Sequence, residues 1–213
     1  MKKSPLIGIS RHRICTDGEG VTTLVAFHGC TLRCKYCINR QALSADGVWK
    51  SMSPQEIFDE VKKDDIYFEA TGGGITFGGG EPLLSCKTIL HFRKLCVRYG
   101  KNWKINIETS LNVTPRFVRA MANIVDHWIV DIKDMNPTIY KAYTGKDNAL
   151  LLDNLKYLVD NRKKITARVP LISGYNSVDD VEASVRRLTE MGIVDIDRFE
   201  YITEPQKLKT SKH

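Results

Sequence analysis

Three cysteines, Cys30, Cys34 and Cys37, share one short stretch of a 213-residue chain that holds six cysteines in all. Three thiolates on one loop hold three irons of a cubane cluster and leave the fourth iron without a protein ligand. That iron takes an exchangeable ligand, and a chelating amino-acid head group suits it. A closed four-cysteine cluster passes electrons but does not hold a substrate in this way. A structural zinc site wants four ligands, usually in two separated pairs, and needs His28 or a distant cysteine to complete it here. Cysteines that serve only as small hydrophobes do not gather around cations such as Arg33 and Lys35. Cys15, Cys86 and Cys96 stand apart and read as ordinary, partly buried thiols.

Other residue patterns point to ligand binding. Gly78, Gly79 and Gly80 let a backbone approach a ligand closely and expose its own N–H and C=O groups. A bare packing turn is the plainer reading. Asp131 and Lys133 flank one residue of an expected strand, which puts both side chains on one side. An acid and a base pointing together bind a zwitterion, or pair with each other. Glu108 reads as a strand-end carboxylate paired with a lysine, and Arg168 as a packing arginine or an anion ligand.

Positioning these residues requires a regular frame. Short apolar runs at 22–28, 74–77, 104–108, 126–132, 166–171 and 198–202 predict strands. Helix patterns lie between them at 84–99, 115–122, 137–144, 151–161 and 178–191. Another opens at Ser53-Pro54-Gln55-Glu56, which has a serine cap, proline at the first helical position and a capping-box glutamate. About six strand–helix alternations imply a parallel sheet with crossover helices, too few for a closed eight-stranded barrel. The expected fold is therefore α/β: an open, partial (β/α)6 TIM-like barrel of parallel strands in a single domain over 1–213. Ligands collect at the carboxyl ends of such strands, and the cysteine loop directly follows the first of them.

No apolar run approaches the roughly 18–20 residues that span a bilayer, and the basic start of the chain lacks a signal-peptide core. A soluble, cytoplasmic protein without membrane partners is expected, and six cysteines there argue against a disulfide framework. The net charge of +7 reads as a solvated lysine surface, or one that steers an acidic protein such as a small electron carrier. Lysines and arginines are spread out rather than gathered with aromatics, so nucleic acid is not an expected partner. The tail, 207–213, forms a local basic cluster and reads as a mobile end.

The three-cysteine spacing, with Tyr36 just before the last cysteine, resembles the signature of the radical S-adenosylmethionine superfamily. The chain is most similar to activating enzymes of glycyl-radical enzymes, of the pyruvate formate-lyase activase type. The likeness extends through Asp17-Gly18-Glu19-Gly20, Gly78-Gly79-Gly80-Glu81-Pro82, Asp131-Ile132-Lys133, Tyr143-Thr144-Gly145 and Arg168-Val169-Pro170…Gly174-Tyr175-Asn176. The resemblance implies a radical SAM core with one 4Fe–4S cluster on Cys30, Cys34 and Cys37. It implies S-adenosyl-L-methionine bound by Asn39, Gly78, Gly79, Gly80, Glu81, Thr109, Ser110, Lys133 and Arg168. Asp131 and Lys133 would then lie near cofactor and substrate glycine as the catalytic pair.

The activity implied is reductive cleavage of the cofactor to methionine and a 5′-deoxyadenosyl radical, driven by one electron from reduced flavodoxin or ferredoxin. The radical abstracts a hydrogen atom from a glycine of a partner glycyl-radical enzyme. Two departures stand out. Only 38–52 separates Cys37 from the next helix, so the ferredoxin-like insertion of many relatives is absent. No histidine matches the one that relatives carry near their C-terminal end. A small-molecule or peptide-modifying radical enzyme, such as the carboxy-deazaguanine synthase type, is the alternative. A non-catalytic iron–sulfur or zinc module is the alternative of another class.

Overall fold

The computed structural model describes residues 2–14 and 16–201; Cys15 and the tail from 202 onward lie outside the described residues. The chain begins with a long strand, β1 (Ser4–Ile14), which the sequence did not announce because arginines and a histidine interrupt its apolar positions. It pairs antiparallel with β2 (Val21–Phe27) and with a short β3 (Lys50–Met52). The cysteine loop lies between β2 and β3.

Then the expected alternation sets in. Helices α1 (Pro54–Val61) and α2 (Asp65–Thr71) cross to β4 (Gly74–Gly79). Helix α3 (Cys86–Arg98) leads to β5 (Lys104–Thr109), and α4 (Pro115–Met121) to β6 (His127–Asp131). Helices α5 (Pro137–Thr144) and α6 (Ala149–Asp160) precede β7 (Ile165–Leu171). Finally α7 (Val178–Glu190) leads to β8 (Ile196–Glu200), two residues earlier than the expected start at 198. The capping box at Ser53 and Glu56 forms as the sequence predicts, and Ser177 and Asp180 build a second one on α7. Each is worth about 1 kcal/mol.

The sheet runs in the order β3-β1-β2-β4-β5-β6-β7-β8, and every pairing from β2 to β8 is parallel. Six parallel strands with helical crossovers thus confirm the open, partial barrel, and two antiparallel strands extend one edge. The period of two along each strand divides its residues between two faces. Outward residues pack under the helices: Phe27 stacks on Phe77 with centroids 5.8 Å apart, and Phe77 meets Phe92 edge-on at 5.4 Å. Phe58 on α1 stacks on Trp103 at 5.2 Å, closing this side of the core. Truncating a fully buried ring such as Phe92 costs about 3–5 kcal/mol.

Inward residues are polar, and this decides where a ligand fits. At the base, buried Asp17 accepts from the hydroxyl of Thr22 at 2.6 Å, while its backbone carbonyl accepts from Thr76 and Asn106. The Asp17–Gly20 segment therefore plugs the amino-terminal end of the barrel. The plug leaves the carboxyl-end mouth as the route inward.

Candidate active site

At that mouth lies a cavity of about 240 Å³. Cys30, Cys34 and Cys37 all line it, and the loop that carries them is fixed from two sides. On one side, the Gly80 amide donates to Phe27 O at 2.9 Å and the Glu81 amide to Gly29 O at 2.7 Å. Opposite, the Arg33 amide donates to Thr144 O at 2.9 Å and the Lys35 amide to Tyr143 O at 3.2 Å. The Tyr143-Thr144-Gly145 segment thus holds the cysteine loop through its backbone. Asn39 closes the loop by donating its side-chain amide to Gly79 O at 2.9 Å.

The thiols are consistent with an iron–sulfur cluster. Burial pushes Cys30 up to about 11 and also raises Cys34, so each thiolate needs compensating positive charge. The irons of a cluster would supply that charge. No three His, Cys, Asp or Glu side chains among the described residues converge on one metal-ion position. The three sulfurs nevertheless share one cavity wall, as ligands to separate irons of a cubane would. His28, the candidate fourth zinc ligand, places its Nε2 2.8 Å from Ser44 O instead.

The glycine-rich end of β4 is shaped by its neighbours. A Cβ on Gly80 would overlap the carbonyl oxygen of Gly29, and Gly79 takes φ +93°, a conformation that favours glycine. Gly79 and Gly80 line the cavity, whereas Gly78 lies below it, facing Leu24 and Glu108. Glu81 does not face the cavity. Its buried carboxylate accepts from Thr109 Oγ1 at 2.7 Å, Ser110 Oγ at 2.7 Å, Ser110 N at 3.1 Å and Leu83 N at 3.2 Å. Burial raises its pKa against those donors. Glu81 therefore orients Thr109 and Ser110, which do line the cavity, instead of presenting its own oxygens.

Asp131 and Lys133 come together by a different route from strand alternation. Strand β6 ends at Asp131, and Lys133 adopts φ +61°, a left-handed conformation that costs a non-glycine residue about 1 kcal/mol or more. The turn swings Lys133 Nζ to 2.9 Å from Asp131 Oδ2 and 2.8 Å from the Tyr201 hydroxyl. Lys133 is only 7% exposed, and its pKa is raised because Asp131 and Tyr201 outweigh desolvation.

Arg168 is not free to receive a carboxylate. Its guanidinium pairs with Glu108 and donates to Thr16 O. Glu108 accordingly meets an arginine, where the sequence suggested a lysine. The pair crosses the barrel beneath the cavity, and both residues contribute to its wall.

Aromatic residues to which the sequence assigned no role complete the wall. Tyr36, Tyr143 and Tyr175 form an aromatic group with centroids 5.1–6.1 Å apart, and Tyr201 lies 6.2 Å from Tyr143. Phe199 and Tyr201 both line the cavity. Their spacing of two was the available sign that they share one face. Cys86 and Cys96 are buried away from this wall, and burial raises Cys96 to about 12.

Comparison with known proteins agrees with this geometry. The sequence matches the radical SAM superfamily over residues 24–188. It is 34% identical over 170 residues to the pyruvate formate-lyase-activating enzyme of Listeria monocytogenes, covering 78% of this chain and 67% of that one. It is 27% identical to the choline trimethylamine-lyase activating enzyme of Oleidesulfovibrio alaskensis, covering 88% of this chain and 78% of that one. Among solved structures, SuiB of Streptococcus suis superposes with a TM-score of 0.63 at 15% identity. That match covers 83% of this chain but 38% of SuiB, and it speaks to the fold alone. No helix among the described residues is long and apolar enough to cross a membrane.

Proposed function

We propose, from the premise that this chain belongs to the radical SAM superfamily, that it is a glycyl-radical enzyme activase. The superfamily implies S-adenosylmethionine and a 4Fe–4S cluster, and Cys30, Cys34 and Cys37 are the residues to hold the cluster. The relatives named above are activating enzymes of glycyl-radical systems, which favours a backbone glycine of a partner protein as substrate. The chain is read as one domain without a ferredoxin-like insertion, working in the cytoplasm with a flavodoxin or ferredoxin as electron source.

One observation carries this reading. The cysteine loop is pinned between the Gly79–Glu81 backbone and the Tyr143–Gly145 backbone, beside a cavity at the carboxyl ends of six parallel strands. When bound, the cluster and sulfonium cofactor supply reductive C–S cleavage and, from it, a radical that takes a hydrogen atom. The protein's own residues bind, orient and shield. Gly79 and Gly80 offer backbone groups to a methionyl head group, and Thr109 and Ser110 offer hydroxyl oxygens fixed by Glu81. Asp131 and Lys133 present both charges to a zwitterion. The tyrosine group covers the mouth and keeps water from a reactive centre.

Arg168 enters by holding Glu108 in place. The test is anaerobic reconstitution with iron and sulfide, reduction, and addition of the cofactor together with a glycyl-radical enzyme. An electron-paramagnetic doublet on that partner, with stoichiometric 5′-deoxyadenosine, supports the assignment. Deoxyadenosine release with a small molecule or peptide and no doublet on the partner refutes it.

A further inference from the structure

Charge is distributed unevenly around the site. From Val21 to Ala45 the chain has no aspartate or glutamate, and from Pro82 to Val125 it has only Glu108, which Arg168 holds in the cavity wall. These stretches build the starts of α3 and α4, on the half of the carboxyl-end face over β4 and β5, and the cysteine loop, which runs from β2 across to the Tyr143–Gly145 segment. Arg33, Lys35, Arg40, Lys87 and Arg116 are exposed there. None of the five forms an ion pair with a described residue. Arg33 donates to the carbonyls of Cys30 and Leu32, and Arg116 lies over the Phe117 ring, so both keep their charge uncompensated. The amino-terminus of the 13-residue α3 adds positive potential on the same side. Over β7, the start of α7 carries Asp179 and Asp180 instead.

Among these cations stand two bare apolar side chains. Ile38, next to Cys37 at the rim of the cavity, is 88% exposed, and Leu84 is 44% exposed. The bond from the Glu81 amide to Gly29 O brings the Leu84 turn alongside the cysteine loop.

We infer that this half of the face docks a small acidic one-electron carrier protein, which reaches the cluster through the outside of the Cys30–Cys37 loop. The inference rests on the reading that the three cysteines hold a cluster. An apolar centre with a cationic rim gives fast, salt-sensitive encounter and a small, readily reversed contact. That is what a carrier needs: one electron leaves its reduced centre and enters the oxidised cluster, and no atom is transferred. A substrate glycine has a different requirement, because its Cα must enter the cavity. The aromatic wall that would receive it is built inside the cavity by Tyr143, Phe199 and Tyr201.

The test uses the triple variant Arg40→Glu, Lys87→Glu, Arg116→Glu, none of which lines the cavity. Labelled flavodoxin is titrated against the apo and reconstituted protein at several salt concentrations. The variant is expected to weaken binding about tenfold or more and to flatten the salt dependence. Deoxyadenosine formation driven by limiting flavodoxin should fall by a similar factor, while the dithionite-driven rate stays unchanged. Equal affinity and equal salt dependence in both proteins would overturn the inference. So would weakened binding of a glycyl-radical enzyme with flavodoxin binding intact, which assigns the surface to substrate. Should circular dichroism show the triple variant misfolded, Lys87→Gln with Arg116→Gln gives the same comparison at about threefold. If the unaltered protein makes no deoxyadenosine with dithionite, the cluster reading fails, and the titration still decides the docking surface.

Discussion

Gly80 lies so close to the carbonyl oxygen of Gly29 that no β-carbon fits between them, and the next amide, Glu81 N, donates to that same oxygen at 2.7 Å. The end of β4 and the start of the cysteine loop are therefore one backbone contact. Gly80→Ala must displace the loop, at about 1–3 kcal/mol of overpacking. Its main expected effect is on iron: reconstituted protein should bind less than about a third of the iron taken up by the unaltered chain. Gly8→Ala, where an added Cβ meets nothing within 4 Å, is the control and should bind iron normally.

Glu81 predicts a stability effect. It satisfies Thr109, Ser110 and Leu83 from a fully enclosed position, so Glu81→Ala strands several donors at once. A loss of about 2–4 kcal/mol is expected in urea denaturation. A change below about 0.5 kcal/mol would show that Glu81 is not the brace between β4 and β5.

Cysteine replacements should sort by position. Cys30→Ala, Cys34→Ala and Cys37→Ala are each expected to abolish the broad iron–sulfur absorbance near the visible edge. Cys86→Ala and Cys96→Ala, buried under the helices, should retain it and lose about 1 kcal/mol of stability. Loss of absorbance in Cys86→Ala alone would move one cluster ligand.

Lys133 is nearly buried, while Asp131 keeps part of its surface in water. Removing the partner with Asp131→Asn leaves the ammonium with Tyr201 alone, at a cost of about 2 kcal/mol, below that of a wholly buried pair. The same variant should raise the KM for S-adenosylmethionine. Tyr201→Phe, which keeps the ring and removes one acceptor, should produce a smaller change in the same direction. An unaltered KM in both would separate this pair from the cofactor.

His127 gives a pH dependence. Burial, then Lys164, lowers its pKa below the usual histidine value. The folded state holds it neutral, and the unfolded state takes up the proton first. Its contribution is therefore present above the ordinary histidine pKa of about 6.5 and is lost as pH falls through the lowered folded value. The melting temperature should drop between pH 7 and pH 5, and less steeply in His127→Gln. Parallel curves for the two proteins would contradict this.

Much of this was legible in the linear chain because its signals are local. The spacing of Cys30, Cys34 and Cys37 is a property of one loop, and Ser53 with Glu56 announces a helix start through a contact three residues long. Six parallel strands followed from period and length. β1 stayed hidden because Arg11, His12 and Arg13 break its apolar run, and its stability comes from pairing with β2 and β3 rather than from its own pattern.

What the sequence determined by itself, then, is the ligand loop, the alternation of strands and helices, and the end of the barrel where chemistry collects, since each depends on neighbours along the chain. Tertiary structure alone decided the partners. It turned Glu81 away from the cavity toward Thr109 and Ser110, tied Arg168 to Glu108, and swung Lys133 through a left-handed turn onto Tyr201. Those residues lie 28 to 68 positions apart. Charge and hydrogen-bond satisfaction act through space, so which donor meets which acceptor is fixed only once the sheet has brought strand ends together.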